Sequence, residues 1–585
     1  MRLLNIEIKN FRGIKHASIK FPENSRVICL IGPGDSGKST LLSVIEWSLW
    51  PTWNLNVTDT DFYNCDISNP IEIIASITEL PYKLITEDKY GLYLRRSDFN
   101  SSDNDEPIDN QQTVLTIRLT VNDALEPKWE VITNRTEPKT IGHKDRRLIS
   151  LGVVGFDHEK DFQWGRNSVL QKYINSHDIL HNVFTQATRT AFKNTNLNEL
   201  NKIESALTEI GNTYGVNFNG EIHNRILMQN GAYSTAIGLF DDKVPFAQRG
   251  LGSKRLLSIG MNVKAYENGT LVLIDEIETG LEPYRIFALI NKFRTQFENS
   301  GQLIMTTHSV SAVCECKVDE IALCSNNDGE LSIHYFGTNK EMRDTMQSTL
   351  RSSPDAFLCK RVIVCEGKTE VGILRALDKY RAKMGEPRFA HYGVGIILGG
   401  GGNKFFTLAK FLKDCGYDCC ILMDSDIETE EIQKTKARNN GISVFDWEQG
   451  YAIEEQIFKD VSLQCANQLL SHAIEIKGLQ NVKDHLDEEF KDEEKEYIVK
   501  DDSIVLCCND KGDISRDFLR RVGKVAKGKI NHKGKNKTEG AWFKRIDIGE
   551  EIGDIIFSSK EQIRSESYFE NIINAILNWV TGNEN

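Results

Sequence analysis

The fold class is decided by residues 27–40, which read VICLIGPGDSGKST. The apolar run Val27–Ile31 is followed by the pattern G-x-x-x-x-G-K-[ST] and then by the helical stretch Thr40–Leu49, which is the context that a phosphate-binding loop requires. The backbone N–H groups of such a loop surround nucleotide phosphates at a helix N-terminus. We therefore expect ATP to bind here, with Lys38 on the β- and γ-phosphates and Ser39 on Mg²⁺. The predicted ATP-binding residues are Gly32, Gly34, Asp35, Ser36, Gly37, Lys38, Ser39 and Thr40.

Two more apolar runs carry residues that would complete an ATPase site. The run Leu271–Ile274 ends in Asp275 and Glu276. We expect Asp275 to hold Mg²⁺ through water and Glu276 to polarise the attacking water. A third run, Leu303–Met305, is followed by His308, which lies where a sensor of the γ-phosphate is expected.

A second group of acids follows two later apolar runs, residues 362–365 and 419–423. The acids are Glu366, Glu370, Asp424 and Asp426. Like-charged carboxylates repel each other, so their grouping predicts a metal site, and oxygen ligands favour Mg²⁺ or Mn²⁺ over zinc. Continuous apolar runs followed by loops are typical of buried parallel strands. The sequence therefore predicts an α/β protein whose functional residues lie just past the carboxyl ends of its strands.

Composition places this chain among ordinary globular proteins. It has 585 residues, which suggests three or four domains, and its 71 basic and 84 acidic residues give a net charge of −13. No apolar run exceeds five residues, far below the roughly 20 that a membrane-spanning helix needs. The N-terminus lacks the apolar segment of a signal peptide. We expect a cytoplasmic protein without membrane contact.

The first set of motifs resembles the ABC ATPase class of the structural-maintenance-of-chromosomes (SMC) type. The opening Ile8–Ile14 is similar to the start of that class, and Arg249–Arg255 looks like a degenerate form of its signature motif. The resemblance implies that Gly252 and Ser253 contact ATP across a dimer. Within the region from about 160 to 235, Ser168–Asn196 and Asn198–Tyr214 read as two amphipathic helices and are expected to form a helical dimerisation insertion.

The second set resembles a Toprim domain, with Glu366 as its first acid and Asp424 and Asp426 as its Asp-x-Asp pair. An ABC-type ATPase followed by Toprim resembles the OLD (overcoming lysogenization defect) family of ATP-dependent nucleases. That family adds an acid and a lysine to a two-metal site. Glu454 is the best match for the acid, with Glu455 as the alternative, and the lysine is Lys544 or Lys537.

These resemblances imply a metal-dependent DNA endonuclease or nickase that is gated by nucleotide and acts in anti-phage defence. One ion, held by Glu366, Glu370 and Asp424, would activate water, and a second, near Asp426 and Glu454, would stabilise the leaving oxygen. The expected partners are DNA, further copies of the chain in a homodimer or higher homo-oligomer, and a separately encoded defence protein. The expected domains are an ATPase domain (1–355), a Toprim domain (356–475) and a C-terminal extension (476–585).

The C-terminal extension contains a basic segment, residues 520–545, with ten basic residues and one acid. It is either a solvated basic face or a surface that grips DNA phosphates. Lys544 differs from its neighbours because it follows Trp542 and Phe543, whose apolar surroundings could hold it rigidly. The phosphate-gripping lysines would be Lys524, Lys527, Lys529, Lys533 and Lys535.

Two other functions compete with the nuclease. One is a RecF-like ATPase of DNA repair or recombination whose Toprim domain is not catalytic, although the complete set of acids argues against it. The other is an RNA-processing nuclease, because small Toprim proteins also cut RNA. Cleavage assays on DNA and RNA separate the three.

Overall fold

A computed structural model describes residues 1–96, 106–107, 112–149, 151–155, 162, 170, 201–218, 220–228, 235–264, 269–338, 340, 342–427, 430–491, 496–500, 502–507, 514–531 and 537–582. The chain divides into two compact units, Met1–Lys340 and Glu341–Asn585. The predicted domain boundaries at 355 and 475 stay predictions. Among the described residues, no helix is both long enough and apolar enough to cross a bilayer.

The first unit is built on a large mixed sheet with a small separate one. Its strands are β1 (Arg2–Phe11), β2 (Ile14–Lys20), β3 (Val27–Ile31), β4 (Ile71–Thr78), β5 (Leu115–Val121), β6 (Pro127–Val131), β7 (Lys139–Thr140), β8 (Leu151–Val154), β9 (Ile222–Met228), β10 (Thr235–Asp241), β11 (Val244–Pro245), β12 (Leu271–Ile274), β13 (Gln302–Thr306), β14 (Ile321–Asn327) and β15 (Glu330–Tyr335). Its helices are α1 (Lys38–Ser48), α2 (His143–Arg146), α3 (Asn201–Thr213), α4 (Leu251–Lys264), α5 (Pro283–Gln296) and α6 (Val310–Glu315).

The large sheet has twelve strands in the order β7-β6-β5-β4-β1-β2-β15-β14-β3-β13-β12-β8. The strands β14, β3, β13, β12 and β8 run parallel, whereas β7 to β2 pair antiparallel. Because β13 lies between β3 and β12, the loops that follow these three strands emerge at the same edge of the sheet. A three-stranded sheet, β11-β10-β9, stands apart.

The second unit contains a four-stranded parallel sheet in the order β17-β16-β18-β19. Its strands are β16 (Arg361–Cys365), β17 (Val394–Leu398), β18 (Asp418–Met423) and β19 (Ser443–Asp446), and two hairpins follow, β20 (Tyr497–Lys500) with β21 (Ser503–Leu506) and β22 (Lys529–Asn531) with β23 (Lys537–Glu539). Its helices are α7 (Arg343–Ser352), α8 (Lys368–Lys383), α9 (Lys404–Asp414), α10 (Glu431–Asn439), α11 (Ile453–Asp460), α12 (Leu463–Lys477), α13 (Leu479–Glu489), α14 (Arg516–Lys527), α15 (Ile546–Ile556) and α16 (Tyr568–Thr581).

The predicted α/β fold class is confirmed, and the five apolar runs lie in strands β3, β12, β13, β16 and β18, which pair in parallel with their neighbours. The antiparallel half of the large sheet was not predicted, because the argument from continuous apolar runs detects only strands that are buried on both faces. Most of the predicted dimerisation insertion, including its first helix, lies outside the described residues. The second predicted helix of that insertion corresponds to α3.

Candidate active sites

The phosphate-binding loop leaves β3 at Gly32 and enters α1 after Gly37. Both glycines have positive φ angles, 142° and 88°, which only glycine adopts without strain. The ammonium of Lys38 is buried inside the loop and donates to the carbonyl oxygens of Gly32 (2.9 Å) and Pro33 (2.8 Å) and to Ser36 Oγ (3.1 Å). Burial lowers the pKa of Lys38. The lysine is therefore held at the centre of the loop, and Gly34, Asp35 and Thr40 lie in the loop and the first turn of α1.

The predicted Mg²⁺ ligands of the ATPase site lie together. Ser39 Oγ donates to Asp275 Oδ1 over 3.0 Å, and Thr306 Oγ1 donates to the same oxygen over 2.6 Å. The Glu276 N–H donates to Thr306 Oγ1 over 2.8 Å. Thr306, at the end of the middle strand β13, thus joins the two sequence motifs, a role that sequence reasoning missed.

Glu276 and His308 are both fixed by their neighbours. Glu276 has a φ of 46° and accepts a hydrogen bond from Thr279 Oγ1 (3.3 Å). Glu278, which was not predicted, accepts from the His308 backbone N–H and from Thr307 Oγ1, both over 2.6 Å. The carboxylate of Glu278 therefore holds the loop after β13 against the loop after β12, and the His308 ring is left exposed.

The degenerate signature motif begins α4 and contacts the loop after β12. A Cβ on Gly252 would lie 2.6 Å from the carbonyl oxygen of Gly280, so no larger residue fits without movement. Arg255, fully buried, donates to the carbonyl oxygens of Asp275 and Glu276. Among the described contacts, no hydrogen bond joins Gly252 or Ser253 to the phosphate-binding loop, so their predicted contact with ATP across a dimer stays a prediction.

In the second unit, the acids that follow β16 and β18 meet at one edge of the sheet. Glu366 Oε2 accepts a hydrogen bond from the Asp424 backbone N–H over 3.0 Å. Asp424 Oδ1 accepts from the Ile453 N–H at the start of α11 over 2.8 Å. Strands β16 and β18 pair in parallel with Cys365 opposite Leu422. Both strands therefore end at the same edge of the sheet, which brings the acids that follow them together.

Glu370, Glu454 and Lys544 form the inner half of this site. Lys544 Nζ lies 3.3 Å from Glu454 Oε1, the oxygen to which Thr369 Oγ1 also donates. Thr369 Oγ1 also contacts the carbonyl oxygen of Phe543 (3.2 Å), which fixes the residue before the lysine. Glu370 and Glu454 are each only 1% exposed, and the Oε2 atom of each has no hydrogen-bond partner.

Asp426 and Glu455 form the outer half. Asp426 Oδ2 accepts a hydrogen bond from Lys527, whose Nζ lies 3.7 Å from Glu455 Oε2. Glu455 Oε1 accepts from Arg520 (3.3 Å). The two glutamates that sequence reasoning left as alternatives thus both reach the site, Glu454 on the side of Lys544 and Glu455 on the side of Lys527.

Burial, together with the charges of the site, raises several pKa values. Burial, assisted by Asp424, raises the pKa of Glu366 to about 8. Burial raises the pKa of Glu370 to about 7, with Glu454 adding to the effect and Lys544 opposing it. The pKa of Asp424 is raised by burial and by Glu370, and the charge of Glu454 raises that of Lys544. The acids are therefore poorly compensated by the protein's own groups.

This donor set fits a divalent cation in its chemistry and has no preformed ligand cage. Two buried carboxylate oxygens without partners, on Glu370 and Glu454, are the kind of atom that a hard cation satisfies. In the part of the chain that is described, no three acidic, histidine or cysteine side chains are arranged as a metal-ligand group. Glu430, which was not predicted, is buried beside the site with Oε2 unpaired, and burial and Asp426 raise its pKa. The side chain of Lys537 lies outside what the structure describes.

Both units of the chain are similar to known protein families. A family model described as an AAA ATPase domain matches residues 1–313, and one described as an overcoming lysogenization defect protein-like TOPRIM domain matches residues 357–426. The chain is 22% identical over 486 residues to the "Old nuclease" of Escherichia phage P2, covering 73% of this chain and 77% of that protein.

Solved structures of SMC head domains also match the chain. An SMC head bound to the C-terminal winged-helix domain of ScpA is 15% identical, with a TM-score of 0.37, and covers 58% of this chain and 99% of that one. The SMC head of Pyrococcus furiosus is 14% identical, with the same TM-score, and covers 59% and 99%. Because it matches both an AAA ATPase domain and an OLD-like Toprim domain, the chain belongs to the OLD family, in which an AAA-type ATPase domain is fused to a Toprim domain.

Proposed function

We propose that the chain is an ATP-binding, Mg²⁺- or Mn²⁺-dependent DNA endonuclease or nickase. The observation that carries the proposal is the cluster of buried acids at the carboxyl edge of the four-stranded sheet, held against Lys544 and Lys527. Buried carboxylates whose charges are only partly offset by these lysines lower stability, so a functional need explains them better than a structural one. Nucleotide binding in the first unit would control cleavage, and anti-phage defence with a separate partner is the role that family membership suggests.

The residues divide the work of phosphodiester hydrolysis. Glu366, Glu370, Asp424 and Glu454 would hold one divalent ion, and Asp426 with Glu455 would hold the other. The ions, when bound, supply activation of water and neutralisation of the charge that develops on the phosphate. Lys544, fixed by buried Trp542 and Phe543, would present a rigid ammonium to the scissile phosphate. This grouping differs from the sequence expectation in giving the outer ion Glu455 rather than Glu454.

The first unit would bind ATP as an OLD-family ATPase. Lys38 would exchange its contacts with loop oxygens for contacts with the β- and γ-phosphates, and Ser39 with Asp275 would hold Mg²⁺. Glu276 would orient the attacking water. We propose that Gly252 and Ser253 act on the nucleotide of a second copy, so that the ATPase works as a homodimer or higher homo-oligomer.

A plasmid-nicking assay tests the proposal. Purified protein is incubated with supercoiled plasmid and with a matched RNA, with Mg²⁺ or Mn²⁺, with and without ATP. We expect metal-dependent nicking of DNA that Asp424→Asn abolishes while leaving ATP hydrolysis intact. ATP hydrolysis without cleavage of either polymer would favour the RecF-like alternative, and cleavage of RNA alone would favour RNA processing.

A further inference from the structure

Lys527 reaches the acidic site because of a glycine one helical turn earlier. A Cβ on Gly523 would lie 2.4 Å from the carbonyl oxygen of Glu454 and 2.6 Å from the Cα of Glu455. Helix α14 therefore lies against the backbone of α11, and the residue four positions on, Lys527, projects from the same face. Gly528, in a positive φ conformation, ends the helix directly after it.

The contacts of Lys527 differ from those of Lys524, the other lysine on this helix. Its side chain is 19% exposed and lies between two carboxylates, Asp426 and Glu455. Lys524 is 54% exposed and pairs with Glu489, away from the acidic site. The Lys527 ammonium donates a hydrogen bond to Asp426 and lies 3.7 Å from Glu455 Oε2, so both carboxylates face a positive charge. Lys527 is therefore not one of the solvated phosphate-gripping residues that its sequence neighbourhood suggested.

We propose that Lys527 is an internal counter-ion that competes with a divalent cation for Asp426 and Glu455. This inference rests on the proposed function, since it concerns the outer ion of the same site. An ammonium and a divalent cation cannot share the same carboxylate oxygens at contact distance without strong repulsion. The outer ion binds only as Lys527 leaves, which keeps the metal site incomplete in the resting protein.

The inner half of the site keeps carboxylate oxygens that Lys544 does not contact. Lys544 contacts Glu454 at Oε1, whereas Oε2 of Glu454 and Oε2 of Glu370 have no hydrogen-bond partner. Oxygens therefore remain available to an inner ion while Lys544 stays in place. We therefore expect two ion-binding sites, an inner site that binds its ion tightly and an outer site whose affinity is lowered by Lys527.

Binding of Mn²⁺ to the full-length, nucleotide-free protein tests the proposal without any cleavage assay. Free Mn²⁺ is measured by electron paramagnetic resonance during titration of wild type, Lys527→Met, Lys527→Arg and the control Lys524→Met. We expect Lys527→Met to bind the weaker ion at least about tenfold more tightly, which corresponds to about 1.4 kcal/mol. Lys527→Arg, which keeps the charge, and Lys524→Met should bind as wild type does.

Two results overturn the inference. Unchanged or weaker Mn²⁺ binding by Lys527→Met means that the ammonium does not compete, and equal tightening by Lys527→Arg means that packing rather than charge was responsible. A failure of the proposed function looks different. If the acidic cluster does not bind metal, adding Asp424→Asn to the wild type or to either Lys527 variant leaves Mn²⁺ binding unchanged.

Discussion

Glu370→Gln is expected to stabilise the metal-free protein at pH 8. The Glu370 side chain is almost fully buried, and its Oε2 has no hydrogen-bond partner. Burial raises its pKa from 4.5 to about 7. At pH 8 the wild-type carboxylate is therefore an ionised group in surroundings that disfavour its charge, and glutamine keeps its shape without the charge.

The size and the pH window of this effect follow from the pKa. The difference between about 7 and 4.5 corresponds to about 3 kcal/mol at 1.36 kcal/mol per pKa unit. The folded protein holds this proton more tightly than the unfolded chain, so the wild type loses stability as the pH rises from 4.5 to about 7, and the loss is complete above that. For a unit of this size, the variant should melt roughly 6–12 °C higher at pH 8. Near pH 4 the two proteins should melt together.

Thermal unfolding in EDTA at pH 4, 6 and 8 measures this difference, with Glu550→Gln as the control. Glu550 pairs with Lys379 and Arg375, which lower its pKa despite partial burial, so removing its charge should not raise the melting temperature at any pH. Added Mn²⁺ should raise the melting temperature of the wild type more than that of Glu370→Gln. A lower melting temperature for Glu370→Gln at pH 8 would refute the reasoning, because it would mean that the ionised carboxylate stabilises the fold.

Three further predictions concern single side chains. Lys38→Ala should abolish ATP binding in a fluorescent-nucleotide titration, because it removes the ammonium held inside the phosphate-binding loop; unchanged affinity would contradict the assignment. Glu276→Gln should bind ATP normally and hydrolyse it slowly, as a phosphate-release assay would show, and wild-type turnover would mean that Glu276 does not orient the water. Lys544→Ala should keep DNA affinity and lose cleavage rate on the order of 10²-fold at saturating DNA. If Lys537→Ala shows that loss instead, the catalytic lysine lies seven residues earlier.

The sequence was sufficient to predict the positions of residues that directly follow a strand. Asp275, Glu366 and Asp424 each follow a continuous apolar run, and a parallel strand delivers the next residue to a shared edge of the sheet. The residues that lie close to these acids in the folded protein could therefore be predicted from the local sequence pattern alone. Ser39 and Asp275 are 236 positions apart in the chain, and the two motifs nevertheless place them 3.0 Å apart.

Residues that arrive by helix packing could not be predicted in the same way. Lys527 lies in a run of basic residues that reads as a solvated surface, and its contacts with Asp426 and Glu455 depend on Gly523 lying against α11. A glycine inside a helical pattern indicates close packing but does not identify the partner. The choice between Glu454 and Glu455 was open for a related reason, because successive residues at a helix start point in different directions and here both of them reach the site.

Lys544 contacts Glu454 because helix α15, which follows the lysine, touches α8 along their backbones. A Cβ on Gly372 would lie 2.5 Å from the Cα of Gly549, and one on Gly549 would lie 2.9 Å from the carbonyl oxygen of Thr369. Any larger residue at either position would push α15 outward, together with Lys544, which precedes it by two residues. Glu370, on α8, would then lose the ammonium that opposes its raised pKa. The match to residues 357–426 covers the strand ends that carry four of the acids, whereas the charges that balance them come from about 100 residues further along the chain.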